Sequence, residues 1–178
     1  MAGAREITVT GAIEAERALI AAMFQYYVYD FSEMGSPDDD DFDLEPDGTF
    51  GRYEYMGAYW REPARIPLII RRGGKLAGFA LINDHSHSGL PLDRNFGEFF
   101  VLRKYRRAGV ASAAVRQILT RYPGRWEAAI MQRNTAAQAF WPRAVAATPG
   151  VRDMVTLQGD GARWTGPILR FVVEPERP

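Results

Sequence analysis

The stretch from Phe96 to Tyr122 constrains the fold of this chain more than any other. Phe96-Gly97-Glu98-Phe99-Phe100-Val101-Leu102 is rich in aromatic and β-branched residues and reads as a strand. The basic loop Arg103-Lys104-Tyr105-Arg106-Arg107-Ala108-Gly109 follows. An amphipathic helix then begins, with Val110, Ala111, Ala114, Val115, Ile118, Leu119 and Tyr122 on one apolar stripe. Pro123-Gly124 supplies the stop. A small-residue loop that feeds a helix start presents unpaired backbone N–H groups at the positive end of the helix dipole, a setting that favours phosphate.

At 178 residues the chain has the length of one domain with a full-sized core. It contains no cysteine, which excludes disulfides, thiolate catalysis and cysteine-ligated metals. Its two histidines, His85 and His87, are too few for a zinc centre without several carboxylates beside them, so no metal is expected. On a Ser/Gly loop their His-x-His spacing reads as solvated. The apolar run Ala18 to Phe24 is too short to span a bilayer, and no cleavage pattern follows it. The expectation is a cytoplasmic protein that does not engage membranes.

Net charge is zero but unevenly spread. Asp38 to Asp47 carries seven acids, whereas Phe99 to Arg143 carries nine basic residues and one acid, Glu127. Opposed fields of this kind steer ligands of opposite charge to different surfaces, although solvated surface charges give the same pattern. The neutral total and the lack of exposed aromatics interleaved with Arg103–Arg107 argue against nucleic acid as a partner.

In chain order, Ile7-Thr8-Val9 suggests a first strand and Ala12 to Phe31 a helix with the stripe Leu19, Met23, Tyr27 and Phe31. Tyr26 and Tyr29 fall off that stripe, towards either a cleft or the rim of the core. Ser36 to Gly51 reads as a long acidic loop, functional or mobile. Tyr53 and Tyr55 alternate as in a short edge strand. Ile66–Arg71 and Lys75–Asn83 flank Arg72-Gly73-Gly74, a hairpin signal, and Asp84 to Asn95 is a second loop. Trp126–Met131 forms another strand, Asn134 an N-cap for a helix over Thr135–Val145, and Val151–Leu157 with Ala162–Val173 two closing strands. The order β-α-β-β-β-α-β-α-β-β predicts an α/β (α+β) fold, a mixed sheet flanked by helices.

Arg106-Arg107-Ala108-Gly109-Val110-Ala111 fits the pattern Arg/Gln-x-x-Gly-x-Gly/Ala and, between its aromatic strand and helix, resembles the acetyl-CoA-binding segment of the GNAT superfamily of N-acyltransferases. Asn134-Thr135-Ala136-Ala137 opens a helix after the next strand, as Asn-x-x-Ala does in that superfamily. The resemblance implies a centrally splayed sheet and acetyl-CoA as cosubstrate. Amides of Arg106, Arg107, Ala108, Gly109, Val110, Ala111 and Ser112 would cradle its pyrophosphate. Phe99, Phe100 and Val101 would offer main-chain bonds to pantetheine, Asn134 would bond the same arm unless it serves only as a cap, and Phe140 would pack beside the cofactor.

The implied reaction is direct attack of a primary amine, on a small molecule or a peptide, through a ternary complex. Its ammonium, with pKa of roughly 10, must first lose a proton. Glu98, in an otherwise apolar strand beside the expected thioester, is the candidate base, directly or through water, with a structural glutamate as the rival reading. Where many relatives carry a proton-donating tyrosine this chain has Trp141, which leaves Tyr27, Tyr55 or Tyr59 as the acid, or an unassisted thiolate. A non-catalytic acyl-CoA sensor on the same fold is the alternative. A homodimer through the C-terminal strands stays open.

Overall fold

The computed structural model describes residues 6–38 and 41–175. Seven strands form one sheet in the order β1-β2-β3-β4-β5-β7-β6. The strands are β1 Ile7–Gly11, β2 Ile66–Arg72, β3 Lys75–Asn83, β4 Arg94–Val101, β5 Gly124–Ala129, β6 Val151–Gln158 and β7 Pro167–Val173; the helices are α1 Arg17–Ser32, α2 Val110–Arg121 and α3 Thr135–Ala146. The order of elements along the chain is the one the sequence predicts.

Three boundaries differ. A 3-10 turn at Glu14–Glu16 precedes α1, so the regular helix starts at Arg17 rather than Ala12. The last strand starts at Pro167, after a turn in which Asp160 accepts from the amides of Ala162 and Arg163. Tyr53 and Tyr55 lie in no strand; they lead into a 3-10 helix, Met56–Trp60. Alternation of two aromatics is also what a turn produces when both rings pack on one side, here with centroids 5.9 Å apart.

The sheet is covered on both faces, which explains the nearly continuous apolar runs in β2 and β3. Leu68, Ile70, Ala80 and Ile82 pack under α2 and α3 with Trp126 and Val115. Ile69, Phe79, Leu81 and Phe100 pack under α1 with Ile20, Met23 and Phe24. In α1 the buried stripe is Ile20, Met23 and Phe24, one step round from the predicted one, while Tyr26 and Tyr29 are exposed. They rim a shallow depression shared with Leu76 and Tyr105.

Side chains tie the layers together. Gln117 of α2 donates to the Ile7 carbonyl at 2.8 Å and accepts from the Val9 amide at 3.1 Å, which occupies edge positions of β1. Gln25 of α1 holds the end of the acidic loop, accepting from Phe50 N at 2.8 Å and donating to Gly51 O at 3.0 Å. Asp39 and Asp40 of that loop's acidic run lie outside the described residues. Arg72 pairs with Lys75 across Gly73-Gly74, both glycines at positive φ, as the hairpin signal requires.

Two features of β4 position the site. Its parallel pairing with β5 covers only Arg94↔Trp126 and Asn95↔Glu127, so the strands part immediately afterwards. Its antiparallel register with β3 runs Leu81↔Glu98 and then Ile82↔Phe96, leaving Gly97 as the extra residue of a bulge. Side chains alternate along a strand, so without the bulge Phe96, Glu98 and Phe100 would share one face. With it, Phe96 joins the core beneath α2 and α3, while Glu98 and Phe100 turn towards α1. Gly97 is required there. A Cβ would lie 2.5 Å from the Asn83 amide nitrogen and 3.1 Å from the Tyr59 hydroxyl.

Candidate active site

Past Asn95, the gap between β4 and β5 leaves one edge of β4 without a strand partner among the described residues. The Phe100 carbonyl points at Gly78 of β3, only 2.0 Å from where a Cβ on that glycine would sit. Backbone groups alternate sides along a strand, so Phe99 and Val101 turn theirs to the open edge, whereas Phe100 does not. The Val101 carbonyl accepts from Arg106 Nε at 2.8 Å. Phe99 contributes a wall as well, stacking on Phe140 at 6.2 Å and meeting Trp141 edge-on at 5.3 Å. Trp141 is buried against Phe96 at 4.6 Å, a core position.

At the mouth of this gap, Leu102 leads through a 3-10 turn at Arg103–Tyr105 into α2. Arg106, Arg107, Ala108 and Gly109 are exposed. Arg107 and Gly109 both have positive φ, and Gly109 occupies the N-cap of α2 with no side chain capping the helix. The first amides of the helix, at Val110, Ala111 and Ser112, are therefore left without intrahelical acceptors. No atom lies within 4 Å of a Cβ built on Gly109, so approach from outside is open. Uncapped amides on a concave, exposed turn fit a pyrophosphate.

The arginines of this loop divide. Arg106 pairs with Asp30 of α1 and lies over the Phe100 ring, and Arg103 donates to Asp30 at 2.6 Å and to Glu33 at 3.4 Å. Two of the four loop cations thus fasten α1 to the end of β4, leaving Lys104 and Arg107 to supply most of the local positive field. Asn134 caps α3, accepting from the Ala137 amide at 2.9 Å.

Around the bulge, on the α1 face, lies a cleft of about 280 Å³. Glu98 and Gly97 form its floor, Tyr53, Tyr55 and Arg65 one wall, and Asn83, His85 and His87 the other. Tyr27 and Tyr53 are neighbours of Glu98. Burial pushes the Glu98 carboxyl up to about 7; Tyr27, Tyr53 and His87 beside it draw it back only in part. Burial and the neighbouring Glu98 charge raise the Tyr27 and Tyr53 hydroxyls well above the usual range, so neither gives up its proton readily. Tyr59, buried and also raised by desolvation, accepts from Asn83 Nδ2 at 3.1 Å. Asn83 Oδ1 in turn accepts from Asn95 Nδ2 and His85 N, both at 3.0 Å.

The His85–His87 loop is anchored, contrary to its sequence reading as solvated. Glu127 of β5 is fully buried and receives the His87 amide at 2.5 Å, the Ser88 amide at 3.2 Å, Ser88 Oγ at 2.6 Å and Arg170 at 2.6 Å. Burial alone would raise Glu127, but the hydrogen bonds from His87 and Ser88 outweigh it and hold the carboxyl at about 2. His87 Nδ1 stands 3.7 Å from Glu127 Oε1, and its ring meets Trp164 edge-on at 4.9 Å. The ring thereby faces the cleft in a fixed pose. Among the described residues no cluster of three or more acids and histidines could hold a metal ion.

Sequence reasoning singled out Glu98 but not Tyr53 as its partner, nor Asn83, Arg65, His87 or Glu127. Gly97 was the available signal, since a glycine inside an aromatic strand marks a bulge or a close approach. Glu127 carried a weaker one, as the lone acid in a basic stretch.

No curated protein sequence matches the chain. Among solved structures, the acetyltransferase from Thermus thermophilus superposes with a TM-score of 0.62 at 13% identity, covering 97% of this chain and 99% of its own. The GNAT-family acetyltransferase from Streptococcus agalactiae gives 0.64 at 14% identity, with 96% of each chain covered. The ribosomal-protein-S18-alanine N-acetyltransferase from Escherichia coli gives 0.54 at 9%, with 97% of each covered. At such identities the likeness shows the fold alone. The family model described as acetyltransferase (GNAT) family matches residues 22–145, well over half of the sequence. This chain belongs to the GNAT acetyltransferase family.

Proposed function

We propose that the protein is an acetyl-CoA-dependent N-acetyltransferase that acylates a primary amine by direct attack within a ternary complex. The observation that carries this reading is Glu98, a carboxyl raised to about 7 at the floor of a cleft that opens beside the parting of β4 and β5. A base matched to neutral pH is what an ammonium of pKa roughly 10 needs if it is to react there. Acetyl-CoA supplies a thioester carbonyl and a leaving thiolate. The uncapped start of α2 binds its pyrophosphate, and the open edge at Phe99 aligns the pantetheine arm. Glu98 takes the amine proton, directly or through one water, with Tyr27 and Tyr53 beside the carboxylate. Main-chain N–H groups on the open edge donate to the oxygen where negative charge develops.

Thiolate departure is left without a tyrosine at the customary place, since Trp141 belongs to the core. Tyr55, the exposed tyrosine of the cleft, is free of the Glu98 network and is the acid we assign if one is used. The core position of Trp141 is also what favours the second reading, a non-catalytic acyl-CoA sensor. A thiol-release assay over a panel of primary amines separates the two. Turnover with at least one amine, lost on Glu98→Gln while acetyl-CoA binding persists, supports the enzyme. Tight acetyl-CoA binding with no amine acylated sinks it.

A further inference from the structure

We infer that the acceptor is a compact primary amine that also bears a carboxylate, with Arg65 as the residue that selects it; this rests on the N-acetyltransferase reading above. Arg65 lines the same cleft as Glu98 and is held rigidly. Its side chain is 17% exposed, its guanidinium lies 5.3 Å from the Tyr59 ring and 5.5 Å from the Tyr55 ring, and it donates to Glu62 Oε2 at 2.6 Å. A guanidinium has five N–H donors, so the bond to Glu62 leaves others for a ligand. Glu62 is largely exposed and offers only partial compensation of the charge.

The cleft therefore presents a fixed cation on one wall and a proton-accepting carboxyl on its floor. Apart from the Gly97 backbone, its lining is aromatic, amide, imidazole or charged, with no aliphatic side chain. A hydrocarbon amine would strip water from Arg65 and Asn83 without replacing their hydrogen bonds. A polyamine would bring a second positive charge against Arg65. None of the described acids between Asp38 and Asp47 lines the cleft to receive that charge. A molecule with its amine at Glu98 and a planar carboxylate at Arg65 satisfies both ends, because the guanidinium fork matches carboxylate geometry. The volume of about 280 Å³ suits a small molecule rather than a folded protein segment.

The test compares amino acids of graded length (glycine, β-alanine, γ-aminobutyrate, phenylalanine) with their primary amides, which keep the size and remove the charge. An N-terminal tripeptide amide is a further arm. In the wild type the best acid is expected to exceed its amide in kcat/KM by about tenfold or more, the usual scale of a charge-assisted hydrogen bond. Arg65→Met is expected to lower the acid about tenfold more than the amide, whereas Arg65→Lys keeps part of the preference. A purely structural role for Arg65 lowers acid and amide together and leaves their ratio unmoved. Equal or better use of amides or of the tripeptide by the wild type overturns the inference while leaving the N-acetyltransferase reading intact. Failure of every amine, with acetyl-CoA still bound, overturns that reading and this inference with it.

Discussion

Beside α2, the groups offered to the proposed cosubstrate are mostly main-chain atoms from one continuous segment, Phe99 to Ser112, with the Phe99 and Phe140 rings as a wall. Beside α1, the cleft gathers side chains from the loop before the 3-10 helix, the loop before β2, the end of β3, the β3–β4 loop and β4, with Tyr27 of α1 next to Glu98. The first region is a property of backbone conformation: a glycine at positive φ, an uncapped helix start and a strand edge without a partner. The second is a property of packing, in which Glu98 acquires its chemistry only because the bulge turns it into a pocket walled by tyrosines. A backbone-built site tolerates many side chains and is shared across a family. A side-chain-built site is where substrate choice is made.

The sharpest way to break this comparison is to remove the cleft's base and leave the α2 side alone. Glu98→Gln is expected to lower kcat by about a hundredfold or more, the scale of general base catalysis, with the KM for acetyl-CoA nearly constant. In the proposed mechanism the deprotonated carboxylate is the active form, so kcat/KM of the wild type is expected to rise as pH passes about 7 and this limb to be absent from the variant. A pH profile of both proteins checks the point. Parallel profiles would assign the proton to another group.

Glu127 tests whether the wall of the cleft depends on one buried charge. Glu127→Gln leaves Arg170 without its carboxylate partner beside the His87–Ser88 turn and is expected to destabilise the fold by about 3 kcal/mol in urea unfolding. The sign of the pH dependence follows from its lowered carboxyl. In the wild type that stabilisation is complete above the ordinary value near 4.5 and is lost as pH falls towards about 2. The variant should unfold with a flatter acid profile. An unchanged profile would mean that Ser88 and Arg170 hold each other without the carboxylate.

On the α2 side the expected effects are smaller and fall on binding. Gly109→Ala places a Cβ at φ +76 with no atom within 4 Å, so the strain is about 1 kcal/mol and the fold survives. The added methyl stands at the proposed pyrophosphate site, and the KM for acetyl-CoA should rise about tenfold with kcat little affected. The smallest change is Asn134→Ala, which removes the cap of α3 for about 1 kcal/mol of stability. Its KM for acetyl-CoA should move less than about threefold, because the acceptor oxygen is committed to the Ala137 amide. A larger rise would show that the amide nitrogen also serves pantetheine.

Much of this molecule was legible locally. The apolar stripe of α2, the Gly-Gly hairpin, the Asn134 cap and the basic loop ending in Gly109 each depend on residues within a few positions of one another, and the structure shows each as an element or turn. The chain order of strands and helices followed from such signals alone. Where the prediction failed, a distant contact decided. Tyr53 and Tyr55 alternate like a strand but pack beside Phe24 and Arg65 instead. The histidine loop looks solvated until Glu127, forty residues on, is folded beneath it.

Sequence by itself thus determined that this chain builds a strand, a phosphate-friendly turn and a helix, and it singled out a lone carboxyl in an aromatic strand. Only the tertiary structure decided which way that carboxyl faces. The bulge at Gly97 reverses the alternation of β4, and Asn83 and Tyr59, crowding that glycine from other elements, leave no room for a side chain there. Periodicity assumes an uninterrupted strand, and one inserted residue sends everything after it to the opposite face. The electrostatics follow from the same turn, since Glu98 is raised by burial among residues that sequence neighbourhood does not bring near it.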